Sequence, residues 1–271
     1  MRSKTKKRAF LALRIGVAIG LVAYVLHNIN ISQLWHQIKN VRLGFVFLGI
    51  SLFLTIPLLS TLRWKLVLGV HGVKPSFYKL YKLFFIGLFF NNTMPGLTGG
   101  DVIKAYYVTK ETDDRKTEAV TSVFVDRVIG LTGLLVVGMI ALLFNLQNPD
   151  LRQIAILIIV MFLSMIFFVL IFLNKEMFAG MPFMSRLLDS VPFKEIMIRI
   201  YNACHKYKHD VRIIIYGFGI SLIIHGVNII MVATLGSALS VDSVELTHYF
   251  LFIPVIAVGA ALPISIAGLG V

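Results

Sequence analysis

The chain has 271 residues, of which 58% are hydrophobic and 14% charged, with a formal net charge of +13. That composition excludes a soluble globular domain as its main body. It also excludes a nucleic-acid reader, because the basic residues lie between long apolar runs and not on one basic surface. The single cysteine, Cys204, excludes an intrachain disulfide. The expected architecture is all-α: one polytopic transmembrane helix bundle over residues 1–271, with about six spans and two re-entrant or broken helices.

In chain order, Met1 to Arg8 is a basic segment resembling a signal n-region, and Ala9–Leu26 is apolar without an A-x-A cleavage site. The pair is expected to form an uncleaved signal-anchor helix, with Arg14 snorkelling to its end. Further spans are expected at Leu43–Leu62, Val120–Phe144, Ile154–Leu173 and Ile213–Leu235, and from Tyr249 onward, each near the ~20 residues that cross a bilayer. Between the second and third expected spans lies an exception, residues 83–100. The short apolar run Leu83 to Phe90 leads into two amides, Asn91 and Asn92, then Pro95, then Gly96, Gly99, Gly100 and Asp101. Proline removes a backbone donor and glycine weakens a helix. In hydrocarbon such backbone survives only inside protein or beside a wet cavity. A re-entrant element lining a polar site is the expectation.

The basic residues agree with that topology. With the N-terminus cytoplasmic and 83–100 returning to its own side, 22 of the 26 Lys and Arg lie on the cytoplasmic side and 3 outside, with Arg127 inside a span. If 83–100 crossed instead, the basic loop Asn174–Arg212 would face outward, against the positive-inside rule. The C-terminal run Leu262 to Gly270 repeats the theme, with Pro263 followed by Gly268 and Gly270. Two Gly/Pro-interrupted apolar segments, one per half, point to a transporter-like site made by discontinuous helices. Within the basic loop, Ser190 to Glu195 offers a helix start with Pro192 early. Ile196, Ile200, Ala203 and Tyr207 then recur at helical spacing, as in a helix lying on a membrane surface.

Ionisable residues inside spans are costly and therefore candidates for function. Asp126 and Arg127 are neighbours on a helix and do not face each other, so each needs another partner, with Asp101 and Lys104 as candidates. His225 and Asn228 share a helix face and suit an interhelical hydrogen bond. His205 and His209 have the i, i+4 spacing of a zinc pair, but Lys206 and Lys208 beside them repel a metal, and no metal or cofactor is expected. The segment Asn91 to Lys104 suits an anion. A helix starting at Asp101, with Asp101 as its N-cap, presents backbone donors to a phosphate, and Lys104 adds a charge. The expected substrate-binding set is Asn91, Asn92, Pro95, Gly99, Gly100, Asp101, Lys104, Arg127, Pro263, Gly268 and Gly270. The natural occupant is the headgroup of an anionic membrane lipid.

Arg63-Trp64, the run Phe89 to Pro95, Gly99-Gly100-Asp101, Asp126 to Leu131 and the terminal Leu262 to Gly270 together resemble the lysylphosphatidylglycerol synthase transmembrane-region family, also called the flippase-like or UPF0104 family. The resemblance covers about residues 10–271. It implies a multi-pass protein of the cell membrane that translocates or binds an anionic or aminoacylated phospholipid or a polyprenyl-phosphate lipid. A separate transferase would be its partner. The alternative is a phosphatidylglycerol lysyltransferase or an enzyme associated with a membrane glycosyltransferase. Its acid or base would have to come from Asp101, Asp113, Asp114 or Asp126, which nothing in the sequence pairs, so no catalytic residue is assigned. Family chains continue beyond the Gly-Leu-Gly motif into further spans, which implies that residues 1–271 are a C-terminally shortened chain.

Overall fold

The computed structural model describes residues 35, 38–93, 99–112, 114–144, 152–173, 191–240 and 244–261. Among them the helices of defined extent are α1 Leu43–Gly69, α2 Phe77–Thr93, α3 Gly99–Val108, α4 Lys116–Leu143, α5 Arg152–Leu173, α6 Val191–Lys206, α7 Val211–Ala238 and α8 Leu246–Ala261, and the described residues contain no strand. By length and composition α1, α4 and α7 can each cross a membrane. Their outer faces, and that of α5, expose Phe47, Phe53, Val160, Leu163, Phe167 and Ile223. So much exposed apolar surface is untenable in water and normal against lipid. Several hydroxyls within these helices are satisfied internally, as where Thr55 and Thr132 donate to the carbonyls of Ser51 and Val128.

The helices α1 and α7 run antiparallel. At one end Gly49 meets Leu235 and the Arg42 N–H donates to the Ala238 carbonyl at 3.1 Å; nearer the other, Gly217 lies against Arg63. Small residues on the seam let the backbones approach, which replaces the hydrophobic drive that lipid cannot supply. The α1 helix runs past the expected Leu62 to Gly69, because Arg63, Trp64, Val67 and Leu68 are all buried. The Trp64 indole donates to Ser122 Oγ of α4 at 3.1 Å. Past α1 the chain turns at Gly72, whose φ of 68° favours glycine. The Ser76 hydroxyl then accepts from the Lys79 N–H at the start of α2.

Together α2 and α3 form a hairpin. As α3 is followed forward, its partners on α2 run backward: Gly100 meets Asn91 and Gly87, Lys104 meets Phe84, and Val108 joins Leu80 in a core cluster with Trp64 and Leu68. Lys79 and Glu111 close the open end at 2.7 Å. Both arms therefore meet the rest of the chain at the end of the bundle where α1 stops and α4 starts. That end also carries Lys74, Lys79, Arg115, Lys116, Lys206 and Arg212, and is called the basic end below. The second arm begins at Gly99, two residues before the start expected at Asp101, and the first continues helically through Asn91-Asn92-Thr93. The expected tip residue Pro95, the first span Ala9–Leu26 and the C-terminal echo with Pro263, Gly268 and Gly270 lie outside the described residues.

The expected amphipathic helix is α6, which begins at Val191 with Pro192 in its first turn, where the missing N–H costs nothing. It docks on the bundle through Tyr201, Ala203 and Cys204, with Tyr207 just beyond, whose hydroxyl donates to the Val67 carbonyl at 3.2 Å. Burial pushes the Cys204 thiol up to about 11. N-ethylmaleimide at pH 7.5 is accordingly expected to label the folded chain at least about tenfold more slowly than the unfolded chain. Equal rates would show that α6 is not docked.

Candidate functional site

Five ionisable side chains from α1, α3 and α4 gather where the hairpin meets the bundle. The tightest pair was not foreseen: Arg63 Nε donates to Asp126 Oδ1 at 2.7 Å and its Nη2 to Oδ2 at 3.2 Å. The two side chains are 9% and 14% exposed. Arg63 Nη1 also donates to Ser221 Oγ at 3.1 Å. This fork-to-carboxylate geometry suits an ion pair held in a water-poor setting. Gly130 makes room for it, because a Cβ there would meet the guanidinium at 3.1–3.5 Å. The Gly130 carbonyl faces α7, with Ser221 Oγ at 3.4 Å and His225 Nε2 at 3.1 Å. His225 thus makes an interhelical hydrogen bond, to a backbone carbonyl and not to another side chain.

The second group is looser. Asp101, in the first turn of α3, lies 3.6 Å from Lys104 Nζ and 3.8 Å from Arg127 Nη1. Both separations exceed hydrogen-bond distance, so the contacts are electrostatic only. Lys104 is 11% exposed, and its ammonium stands 4.4 Å from the centre of the Phe84 ring and 6.0 Å from that of Trp64. Asp126, Arg127 and Arg63 are all within its electrostatic reach, which joins the two groups into one network. Arg127 is the most open member, at 36%. The network holds three cations, Arg63, Lys104 and Arg127, against two carboxylates, Asp101 and Asp126. Its tight pair neutralises Arg63, which leaves one carboxylate facing two cations at long range.

The expected role of Asp101 as N-cap is corrected. Because α3 starts at Gly99, Asp101 lies inside the first turn, and the cap comes from the other arm: the Gly100 N–H donates to Asn91 Oδ1 at 2.8 Å. Asp101 is thereby left to face Lys104 and Arg127. Of the expected binding residues the structure brings together Asn91, Gly99, Gly100, Asp101, Lys104 and Arg127. The helical backbone includes Asn92, while Pro95, Pro263, Gly268 and Gly270 lie outside the described residues. Sequence reasoning gave no site role to Arg63, Ser221, Gly87 or Gly130, although Arg63 and Gly130 lie in the motifs that carry the family resemblance. The signal for Arg63 was an arginine inside a run free of turn residues, Trp64 to Leu68, where a loop charge would be followed by turn residues. Of the histidines once weighed as a zinc pair, His205 has its Nδ1 3.3 Å from the Tyr201 hydroxyl.

An apolar groove of about 480 Å³ runs beside the stretch of α4 that carries Asp126 and Arg127. It is walled by Val125, Val128, Met165, Ile166, Ile215 and Phe218, with Lys208 at its border.

The family described as lysylphosphatidylglycerol synthase TM region matches residues 11–271. A UPF0104 membrane protein of Pyrococcus horikoshii is 27% identical over 174 residues, 64% of this chain and 50% of that protein. A UPF0104 membrane protein of Methanocaldococcus jannaschii is 27% identical over 126 residues, 46% of this chain and 36% of that protein. One from Methanothermobacter thermautotrophicus is 24% identical over 285 aligned positions, 98% of this chain and 82% of that protein. The chain therefore spans about half the length of the first relative and 36% of the second. No solved structure matches the chain significantly. With its match across residues 11–271, in an all-helical, membrane-suited bundle, this chain belongs to the lysylphosphatidylglycerol synthase transmembrane-region family.

Proposed function

We propose that the protein binds the phosphate of a membrane lipid between Lys104 and Arg127 and passes the headgroup between leaflets of the cell membrane. The lipid is an anionic or aminoacylated phospholipid or a polyprenyl-phosphate. The observation that carries this reading is the charge balance of the looser group, in which one carboxylate, Asp101, stands opposite two cations at 3.6 and 3.8 Å. An excess cation away from bulk water favours an anion, and neither Lys104 nor Arg127 is tied down by a short hydrogen bond to Asp101. The apolar groove on another face of the same stretch of α4 has room for an acyl or prenyl chain. In this reading the basic end faces the cytoplasm, following the positive-inside rule, and any aminoacyl or glycosyl transfer belongs to a separate partner.

The test is scrambling of a fluorescent phosphatidylglycerol in proteoliposomes. Lys104→Ala and Arg127→Ala are each expected to slow transfer by about tenfold or more, the loss of one charge-assisted contact. Lys39→Gln, an equal loss of charge at an exposed position away from the cluster and the groove, is expected to leave the rate unchanged. Wild-type rates in both cluster variants would remove the site.

A further inference from the structure

Asp101 does not face Lys104 and Arg127 as an ordinary ion-pair partner does. A carboxylate between two cations closes to about 2.7–2.9 Å where geometry allows. Asp101 stands at 3.6 and 3.8 Å instead, and no shorter contact to its carboxylate exists among the described residues. The backbone holds it back. Gly100, one residue before it, is capped by Asn91 at 2.8 Å and crosses Gly87 with no room for a Cβ, so the first turn of α3 cannot shift. Lys104 is positioned without Asp101: its stem lies against Gly87, and its ammonium stands 4.4 Å from the centre of the Phe84 ring. The other carboxylate of the network, Asp126, takes two hydrogen bonds from Arg63 and is committed there. Asp101 is thus the carboxylate that shares Lys104 and Arg127 with any anion that arrives.

We propose that Asp101 is a built-in competitor for the lipid phosphate: it partly neutralises Lys104 and Arg127 while the site is empty and repels the phosphate once it is bound. This rests on the reading that the two cations hold a headgroup. In the empty protein, Lys104 and Arg127 without Asp101 would be uncompensated cations away from bulk water, which is costly. In the loaded protein a phosphate oxygen can close to hydrogen-bond distance on both cations, which Asp101 does not reach. The phosphate therefore takes the contact, and the carboxylate is left facing a like charge that loosens the headgroup. A translocating site must bind well enough to load and weakly enough to unload, as an ion pathway must. Asp101 sets that balance by lowering affinity.

The experiment measures binding and transfer separately on the full chain. Binding is read by native mass spectrometry from nanodiscs of phosphatidylcholine containing phosphatidylglycerol, and transfer by scrambling of fluorescent phosphatidylglycerol in proteoliposomes. Asp101→Asn keeps the shape and removes the charge. It is expected to bind phosphatidylglycerol about tenfold more tightly and to transfer it about tenfold more slowly. Asp101→Glu keeps the charge on a longer stem that reaches the cations, and is expected to bind several-fold more weakly than wild type. It tests the proposal independently of whether Asp101→Asn folds. A carboxylate that merely positioned Lys104 and Arg127 would give the opposite order, with Asn weaker than wild type and Glu nearer to it. Affinity falling in the order Asn, Asp, Glu supports the competitor. Asn binding no tighter than wild type, Asn transferring at the wild-type rate, or Glu binding as tightly as wild type overturns it. If Lys104→Ala lowers binding while Asp101→Asn fails to raise it, the phosphate site stands and the competitor does not. If neither Lys104→Ala nor Arg127→Ala changes binding, both fall.

Discussion

Asp126→Ala is expected to be among the most damaging single substitutions in the described part of this protein. The carboxylate receives two hydrogen bonds from Arg63, at 2.7 and 3.2 Å, in a setting where both side chains are nearly closed to solvent. Its removal leaves a guanidinium that cannot deprotonate, with the Ser221 hydroxyl as its remaining short contact. Breaking a buried pair from one side costs about 3–5 kcal/mol, because the surviving charge stays buried. In a chain of this size that corresponds to a fall in melting temperature on the order of 10 °C. Removing both charges behaves differently. Arg63→Met with Asp126→Leu replaces the pair by apolar volume and is expected to recover most of the loss, since a buried ion pair is often no more stabilising than a well-packed apolar substitute. Thermal unfolding in detergent of Arg63→Met, Asp126→Leu and the double variant forms a cycle that isolates the coupling. If the double variant loses the sum of the two single losses, Arg63 and Asp126 do not act as a pair.

The same pair shows what a sequence reveals and what it hides. The long spans were legible because lipid demands near-continuous apolar runs, and α1, α4, α5 and α7 appear where those runs lie. The hairpin was legible because Asn, Pro and Gly cannot extend a lipid-facing helix. Asp101 and Lys104 were legible as candidate partners for Asp126 and Arg127, and Asp101 does lie 3.8 Å from Arg127. Arg63 was not legible as a buried residue. The positive-inside argument treats every Lys and Arg as water-seeking, so it placed Arg63 and Lys104 in loops, whereas both are interior. Their partners explain this: Asp126 lies 63 positions from Arg63 and Ser221 lies 158 away, separations that no periodicity reports. The Asn91 cap was hidden for a similar reason. Its acceptor serves a helix in the other arm, so a rule that seeks a cap next to the helix start selected Asp101 instead.

Gly100→Ala is expected to have an effect of comparable size by a different route. The two hairpin arms cross at Gly100 and Gly87, so closely that a Cβ on Gly100 would fall on the Gly87 carbonyl oxygen. It would also come within 2.6 Å of the Gly87 carbonyl carbon and 2.7 Å of Asn91 Oδ1. Two of these are backbone atoms of a helix, which cannot turn aside as a side chain can. One added methyl must therefore separate the arms, stretch the Asn91 cap and carry Lys104 away from Phe84 and Asp101. Overpacking of this kind costs about 1–3 kcal/mol where neighbours can yield, and more where they are backbone. Gly87→Ala should be milder, because its new Cβ would chiefly meet Lys104 Cε at 2.5 Å and Cγ at 3.0 Å, in a flexible chain. Gly219→Ala, where nothing lies within 4 Å, should be neutral or stabilising by up to about 1 kcal/mol, the helix preference of alanine over glycine. The expected order of loss, Gly100 then Gly87 then Gly219, is set by what each methyl strikes and not by glycine content. Melting temperatures of the three variants in one detergent decide it: if Gly100→Ala melts with Gly219→Ala, the arms are not in contact at this crossing, and Asp101 is not held by the fold against Lys104 and Arg127.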